Sequence, residues 1–281
     1  PPISTLFPYT TLFRSRRLAS VAPLRPALPR LLNEGTAANG RRFLTMSALP
    51  PGDHAARFGK AHREFLVALA SSMPRPKRLC WAEAEPFQRL GARLEVALPL
   101  IDAPWQALLE KTYAEIRAAI GDRFLPVCPV HGDFAPWNLR LAQRRLHVFD
   151  WEYAEAGGSP LQDFLHFHLA SQATRPRWRS LGRVPSLAGG MSSLLAAAEE
   201  HAASVFGRHS GVGEVADALT AHYLLDTIAF YVEFSGYLAP QHPVMRAYLE
   251  LLERRGEWWP ARETSTGCTL ETIRGYAHNS R

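Results

Sequence analysis

Two carboxylates and a carboxamide, Asp133, Asn138 and Asp150, lie within Val130-His131-Gly132-Asp133-Phe134-Ala135-Pro136-Trp137-Asn138 and Val148-Phe149-Asp150-Trp151-Glu152. The residues between them read as one short hairpin, with Asn138–Ala142 going out, Gln143-Arg144-Arg145 turning and Leu146–Asp150 returning. A hairpin brings its ends together, so Asn138 and Asp150 are expected side by side, with Asp133 one loop away. Three oxygen-bearing side chains converging at a strand end suit a hard cation such as Mg²⁺, which keeps waters and completes its shell with phosphates. Taken singly, each feature is also what ordinary structure shows: a turn at His131-Gly132-Asp133, a hairpin edge at Asn138, a strand end at Asp150.

Taken together, the spacings are more specific. His131-Gly132-Asp133 is followed by Asn138 five residues after the Asp, then by Asp150-Trp151-Glu152, then by Gly158-Ser159-Pro160-Leu161-Gln162-Asp163. The set resembles the aminoglycoside phosphotransferase and choline kinase group, whose fold is protein-kinase-like. Protein kinases themselves carry His-Arg-Asp, the same step to Asn, and Asp-Phe-Gly. The resemblance implies an α+β fold with a β-rich N-terminal lobe and a mostly helical C-terminal catalytic lobe. It also implies transfer of the γ-phosphate of ATP, with Mg²⁺, to a hydroxyl of a small molecule: an aminoglycoside, an amino alcohol or a sugar-like compound. Asp133 and His131 would form the catalytic pair, Asp133 aiming the hydroxyl and taking its proton, His131 bracing the loop backbone. With an unperturbed pKa of about 3.9, Asp133 would mainly orient until the hydroxyl acidifies in the transition state. Asn138 and Asp150 would hold Mg²⁺, and Asp163 would anchor the loop from the following helix, a role compatible with capping that helix.

Composition sets the outer bounds. The 281 residues leave room for ample core, and 47% hydrophobic with 21% charged residues describes an ordinary globular protein. No apolar run reaches the length of a membrane span. Cys80, Cys128 and Cys268 are scattered, which suggests neither a disulfide framework nor a zinc site and fits a reducing cytoplasm. The net charge of +6 comes from dispersed arginines without interleaved aromatics, so no nucleic-acid polymer is expected as partner.

The elements that must position the motif follow on either side. Residues 1–15 lack periodicity and an initiator Met and read as a non-native leader rather than a secretory signal. Leu28–Gly35 and Arg42–Leu49 read as two strands around a Gly-containing turn, stopped by Pro50-Pro51-Gly52. By the resemblance, residues 16–50 are a remnant of the N-terminal lobe, and Ser47 and Leu49 lie in a hinge whose backbone meets the adenine edge. Helices are expected over His54–Ser71, from Asp102-Ala103-Pro104 to Gly121, and over Met191–Phe206, Val215–Phe234 and Val244–Glu257, in a catalytic lobe spanning 51–263. Arg175–Gly190 reads as a loop, and 264–281 as a frayed tail.

Acceptor recognition in this group comes from the later helices. Asp226 and Glu233, seven apart and so on one helical face, are the candidate acceptor residues, with Tyr223, Tyr231, Tyr237, Trp258 and Trp259 nearby. The plainer reading is a core aromatic stripe with two solvated acids. His166 and His168 could suggest a metal, but two apart on a helix they diverge and read as core or surface histidines. The family also carries a phosphate-covering loop and a strand lysine. The lysines here are Lys60, Lys77 and Lys111, and some thirty plausible residues precede the hinge, so a truncated product with impaired activity is expected. Two other functions remain open: a non-catalytic nucleotide- or ligand-binding module of pseudokinase type, and a metal-dependent hydrolase built on His131, Asp133, His147 and Asp150. The last is weakened because His147 and Asp150, three apart on a strand, point to opposite faces.

Overall fold

A computed structural model of the chain describes residues 24–48, 50–72, 78–173, 188–238 and 242–259. The leader at 1–15, Leu49, most of the loop 175–190, Cys268 and the tail from 264 lie outside them. In chain order the elements begin with β1 (Leu31–Thr36), β2 (Arg42–Met46), β3 (Asp53–His54), α1 (Lys60–Ala70) and β4 (Arg78–Cys80). There follow α2 (Glu85–Ala97), α3 (Ala103–Ile120), β5 (Phe124–Pro126), β6 (Cys128–Val130), β7 (Leu139–Ala142), β8 (Arg145–Val148) and β9 (Glu155–Gly158). Helices α4 (Gln162–Ala173), α5 (Met191–Phe206), α6 (Ala216–Ser235) and α7 (Pro243–Glu253) complete them. Two compact units result, the first drawn from 1–77 with 127–171 and the second from 78–126 with 172–281.

In the first unit, β1 and β2 form an antiparallel hairpin with a register shift between Leu31 and Asn33. The motif hairpin is β7–β8, with Leu139 opposite Val148 and Ala142 opposite Arg145. Its turn is therefore Gln143-Arg144, both at positive φ, rather than three residues. Two left-handed residues in a two-residue loop make the turn whose twist matches that of the strands. β3 adds a third strand beside β7, pairing Asp53 with Leu141 and His54 with Arg140. That pairing removes His54 from the expected helix, which starts instead at Lys60 after Gly59, whose N–H meets His62 Nδ1 at 3.2 Å. Phe58 lies in the lead-in, 5.3 Å from both Phe164 and Phe167. The core of this unit is aromatic: Phe65 stacks on Phe134 at 5.7 Å and 8°, and Trp151 is buried with its indole N–H on Val148 O.

The second unit is built on α6, buried along most of its length by Leu219, Leu224, Leu225, Ile228 and Val232. Helix α3 starts at Asp102-Ala103-Pro104 and stops at Gly121, and α5, α6 and α7 match the expected helices to within a few residues. Helix α2 is not among those expected. Its signal is Pro86 in the first turn, with Phe87, Leu90, Leu94 and Ala97 recurring on one buried face.

Candidate active site

The motif loop leaves β6 and is held from behind by helix α4. Asp163, buried in the first turn of α4, accepts the backbone N–H groups of His131 (2.7 Å) and Gly132 (2.9 Å), one on each oxygen. Burial pushes its carboxyl up to about 6, and the two N–H groups pull the other way. Gly132 sits at φ +85, and a Cβ there would run into Tyr153 O. Only glycine fits such a close backbone approach at positive φ.

His131 is fully buried and lies edge-on to Trp151 at 4.6 Å. Burial lowers its pKa to about 4, so the ring is neutral. Its Nε2–H donates to Phe149 O (2.9 Å) and its Nδ1 accepts Asp133 N–H (3.2 Å). That tautomer follows from the partners, because a carbonyl only accepts and a peptide N–H only donates. With both nitrogens engaged, His131 ties the loop to the end of β8.

Asp133 projects from this scaffold. Its Oδ2 accepts from Asn138 Nδ2 (2.7 Å) and Trp137 Nε1 (3.4 Å), and its Oδ1 meets His166 Nε2 at 2.8 Å. Burial acts to raise the Asp133 carboxyl, but the His166 hydrogen bond and charge, with Trp137 and His131, outweigh it and hold it below the ordinary range. Asn138 also donates to Asp133 O at 3.0 Å, which leaves Oδ1, an acceptor, as the remaining polar atom of its carboxamide. Phe149 N–H bonds to Asn138 O at 3.2 Å, so the ends of the hairpin do meet. Asp150 follows at φ +64, an uncommon conformation for a residue with a side chain and one that concentrates at functional sites.

Partial desolvation of the otherwise exposed Asp150 raises its carboxyl, and so does the charge of Asp133. Glu152 is raised by burial and by both aspartates. Like charge is thus crowded among Asp133, Asp150 and Glu152. That is the chemistry a hard divalent cation suits, and Asn138 Oδ1 with the exposed Asp150 carboxylate are the atoms that would hold it.

A sequence model of the phosphotransferase enzyme family, the family that includes aminoglycoside phosphotransferases, matches residues 12–184. The chain belongs to that family. A search of curated protein sequences finds no match. Among solved structures, a choline/ethanolamine kinase family protein from Mesorhizobium loti aligns at a TM-score of 0.56 and 16% identity, over 92% of this chain and 80% of that one. A thermostable mutant of aminoglycoside phosphotransferase APH(4)-Ia, in ternary complex with AMP-PNP and hygromycin B, aligns at 0.55 and 14%, over 88% and 83%. A glucosamine kinase in complex with glucosamine, ADP and inorganic phosphate aligns at 0.53 and 18%, over 85% and 71%. The phosphotransferase family chain therefore has the protein-kinase-like fold, and Asp133, Asn138, Asp150 and Asp163 all lie in its first unit.

The other candidate residues are placed as follows. Ser47, just past β2, commits its N–H to Arg30 O (2.7 Å) and its Oγ to Arg30 N–H (2.9 Å). In the second unit, Asp226 is partly buried and paired with Arg93 at 2.7 Å, and Glu233 meets the same arginine at 3.4 Å. The Arg93 guanidinium also lies over the Phe230 ring at 5.0 Å. Tyr223 is buried against Tyr248, and Trp258 and Trp259 are buried too, so these aromatics form core. The two acids are held by an arginine rather than merely solvated.

Two residues at the site escape motif reading: Trp137 and His166. His166 stands three residues after Asp163, so a helix places both on one face toward the loop. Comparing His166 with His168, two residues away, hides that relation.

Proposed function

We propose that this chain transfers the γ-phosphate of ATP to a hydroxyl of a small molecule, with Mg²⁺ held by Asn138 and Asp150. The observation that carries the reading is the Asp133 carboxylate, kept ionised by N–H donors, bonded to Asn138 and near enough to Asp150 for its charge to raise that carboxyl. The acceptor O–H bond breaks and its proton passes to Asp133, the acceptor oxygen bonds to the γ-phosphorus, and the bond to the departing ADP oxygen breaks. Bound Mg²⁺ would neutralise charge on the phosphates. Asp163 and His131 hold the loop still while this happens, and positioning is most of what such a transfer asks of a protein.

The ligands named for two of the solved structures, hygromycin B and glucosamine, support an aminoglycoside or sugar-like acceptor, and the choline/ethanolamine kinase fold keeps an amino alcohol among the choices. No helix among the described residues is long and apolar enough to cross a membrane. A cytoplasmic setting, where ATP is at hand, suits the reading.

The test is ATP- and Mg²⁺-dependent phosphorylation across aminoglycosides, amino alcohols and amino sugars, comparing the wild-type chain with Asp133→Asn. Transfer lost in the variant, at unchanged melting temperature, is the expected result. Tight nucleotide binding without transfer to any acceptor would instead favour a non-catalytic binding module.

A further inference from the structure

The carboxylate of Asp133 turns about a soft terminal torsion, so its aim depends on what grips its two oxygens. Both donors from its own loop, Asn138 Nδ2 and Trp137 Nε1, act on Oδ2. Oδ1 is held from outside the loop, by His166 Nε2 at 2.8 Å. An ionised carboxylate only accepts, so Nε2 must carry the proton in this contact. His166 is largely buried, 17% exposed, with its ring edge-on to Trp137 at 6.5 Å and 79°. It rides on α4 one turn after Asp163, the residue that grips the loop backbone. One rigid helix thus fixes both the main chain of the loop and the carboxylate that projects from it.

We propose that His166 is a positioning residue for phosphoryl transfer, its Nε2–H locking Asp133 in the rotation from which the carboxylate receives the acceptor's proton. The inference rests on the transfer reading above and adds a residue that no motif spacing contains. It differs from a packing role in what it predicts. Losing the donor should slow turnover with little effect on nucleotide or acceptor binding, because His166 acts only through the aim of the Asp133 carboxylate.

The experiment compares His166→Phe, which keeps ring volume without a donor, with His166→Gln, whose amide N–H reaches a similar point. In H166F, kcat should fall by about 10²-fold, with KM for ATP and acceptor within about 2-fold, as a misaimed catalytic group produces. H166Q should recover most of the loss. Unchanged kcat in H166F, or H166Q as slow as H166F with both folded, would overturn the proposal. If H166F does not fold, His166→Asn, whose donor falls short, supplies the same contrast with H166Q.

A second readout needs no turnover. In ¹⁵N-histidine NMR, the signal absent from H166Q should show protonated Nε2 and should shift in Asp133→Asn. An unprotonated Nε2, or a signal insensitive to Asp133, overturns the contact. A wild-type chain that transfers no phosphate while showing the expected signal would leave the pair intact and sink the transfer reading, with His166's kinetic role falling alongside it.

Discussion

In the first unit a carboxylate and an imidazole grip the backbone of the motif loop, whereas charged pairs in the second unit join one element to another. Around the loop, Asp163 grips two peptide N–H groups and His131 bridges a peptide N–H and a carbonyl. Among the helices, Arg93 pairs with Asp226 and Glu233, Arg255 forks onto Glu115 at 2.6 and 3.1 Å, and Tyr223 meets Tyr248. The backbones differ too. All three non-glycine residues at positive φ among the described residues, Gln143, Arg144 and Asp150, belong to the first unit. Side chains bonded to main chain fix where loop atoms lie, which is what a reacting site needs. Side chains bonded across helices hold elements together and leave local geometry to the helix.

The sharpest break of that contrast is Asp163→Ala. Two buried N–H groups would lose their acceptor at once, at about 1–3 kcal/mol each. We expect the chain to lose about 3 kcal/mol of stability and its turnover to fall about 10²–10³-fold through misplacement of the loop. Asp163→Asn keeps one accepting oxygen and should fall between. Urea unfolding and phosphorylation rates check both. A variant as active as wild type would mean that the loop holds its own shape.

How far each unit is legible in the sequence follows from the same difference. The helices of the second unit announce themselves by Pro at the start, Gly at the end and apolar periodicity, as α3 does from Asp102 to Gly121. Helix α2 has the Pro and the apolar periodicity but no closing Gly, and its pattern is diluted by Arg89, Arg93 and Glu95. In the first unit the spacing of Asp133, Asn138 and Asp150 is readable because a hairpin constrains its two ends. The start of α1 is not, because β3 captures His54 through a pairing that only the folded chain reveals. The His166–Asp133 contact joins residues thirty-three apart, and no local period encodes it. The Arg93 pairing of Asp226 is hidden likewise, across 133 positions.

Acid should separate the units next. Burial lowers His131 and His168 to about 4 in the first unit, and lowers His62 as well; in the second it lowers His222 to about 4. A histidine depressed in the fold binds fewer protons there than when unfolded, so stability falls as pH drops from about 6.5 toward 4. From pH 7 to pH 5 each histidine at about 4 costs on the order of 2 kcal/mol. Asp163 works the other way, since its raised carboxyl takes up a proton in the fold first and returns roughly 1 kcal/mol over that range. The first unit should therefore lose a few kcal/mol and the second about 2 kcal/mol. Hydrogen exchange at pH 7 and pH 5 would show it, with protection in α4 and the β7–β8 hairpin lost before protection in α6. Equal loss in both would contradict the assignment of neutral buried histidines to the loop.

The smallest effect tests whether the arginine-bound acids belong to the scaffold or to the substrate. Arg93 and Asp226 are 19% and 14% exposed, between a solvated pair and a buried one, so Arg93→Ala should cost about 1–2 kcal/mol. If the pair serves only to join α2 and α6, Asp226→Asn will lower the melting temperature while acceptor KM stays within about 2-fold. A cationic acceptor held by Asp226 and Glu233 would compete with Arg93 for the same oxygens. Arg93→Ala would then lower acceptor KM even as it destabilised the chain, and Asp226→Asn would raise it. The two variants moving KM in opposite directions is the signature of a binding site, and neither moving it is the signature of a strut. The geometry, with the nearer carboxylate 2.7 Å from the guanidinium, favours the strut.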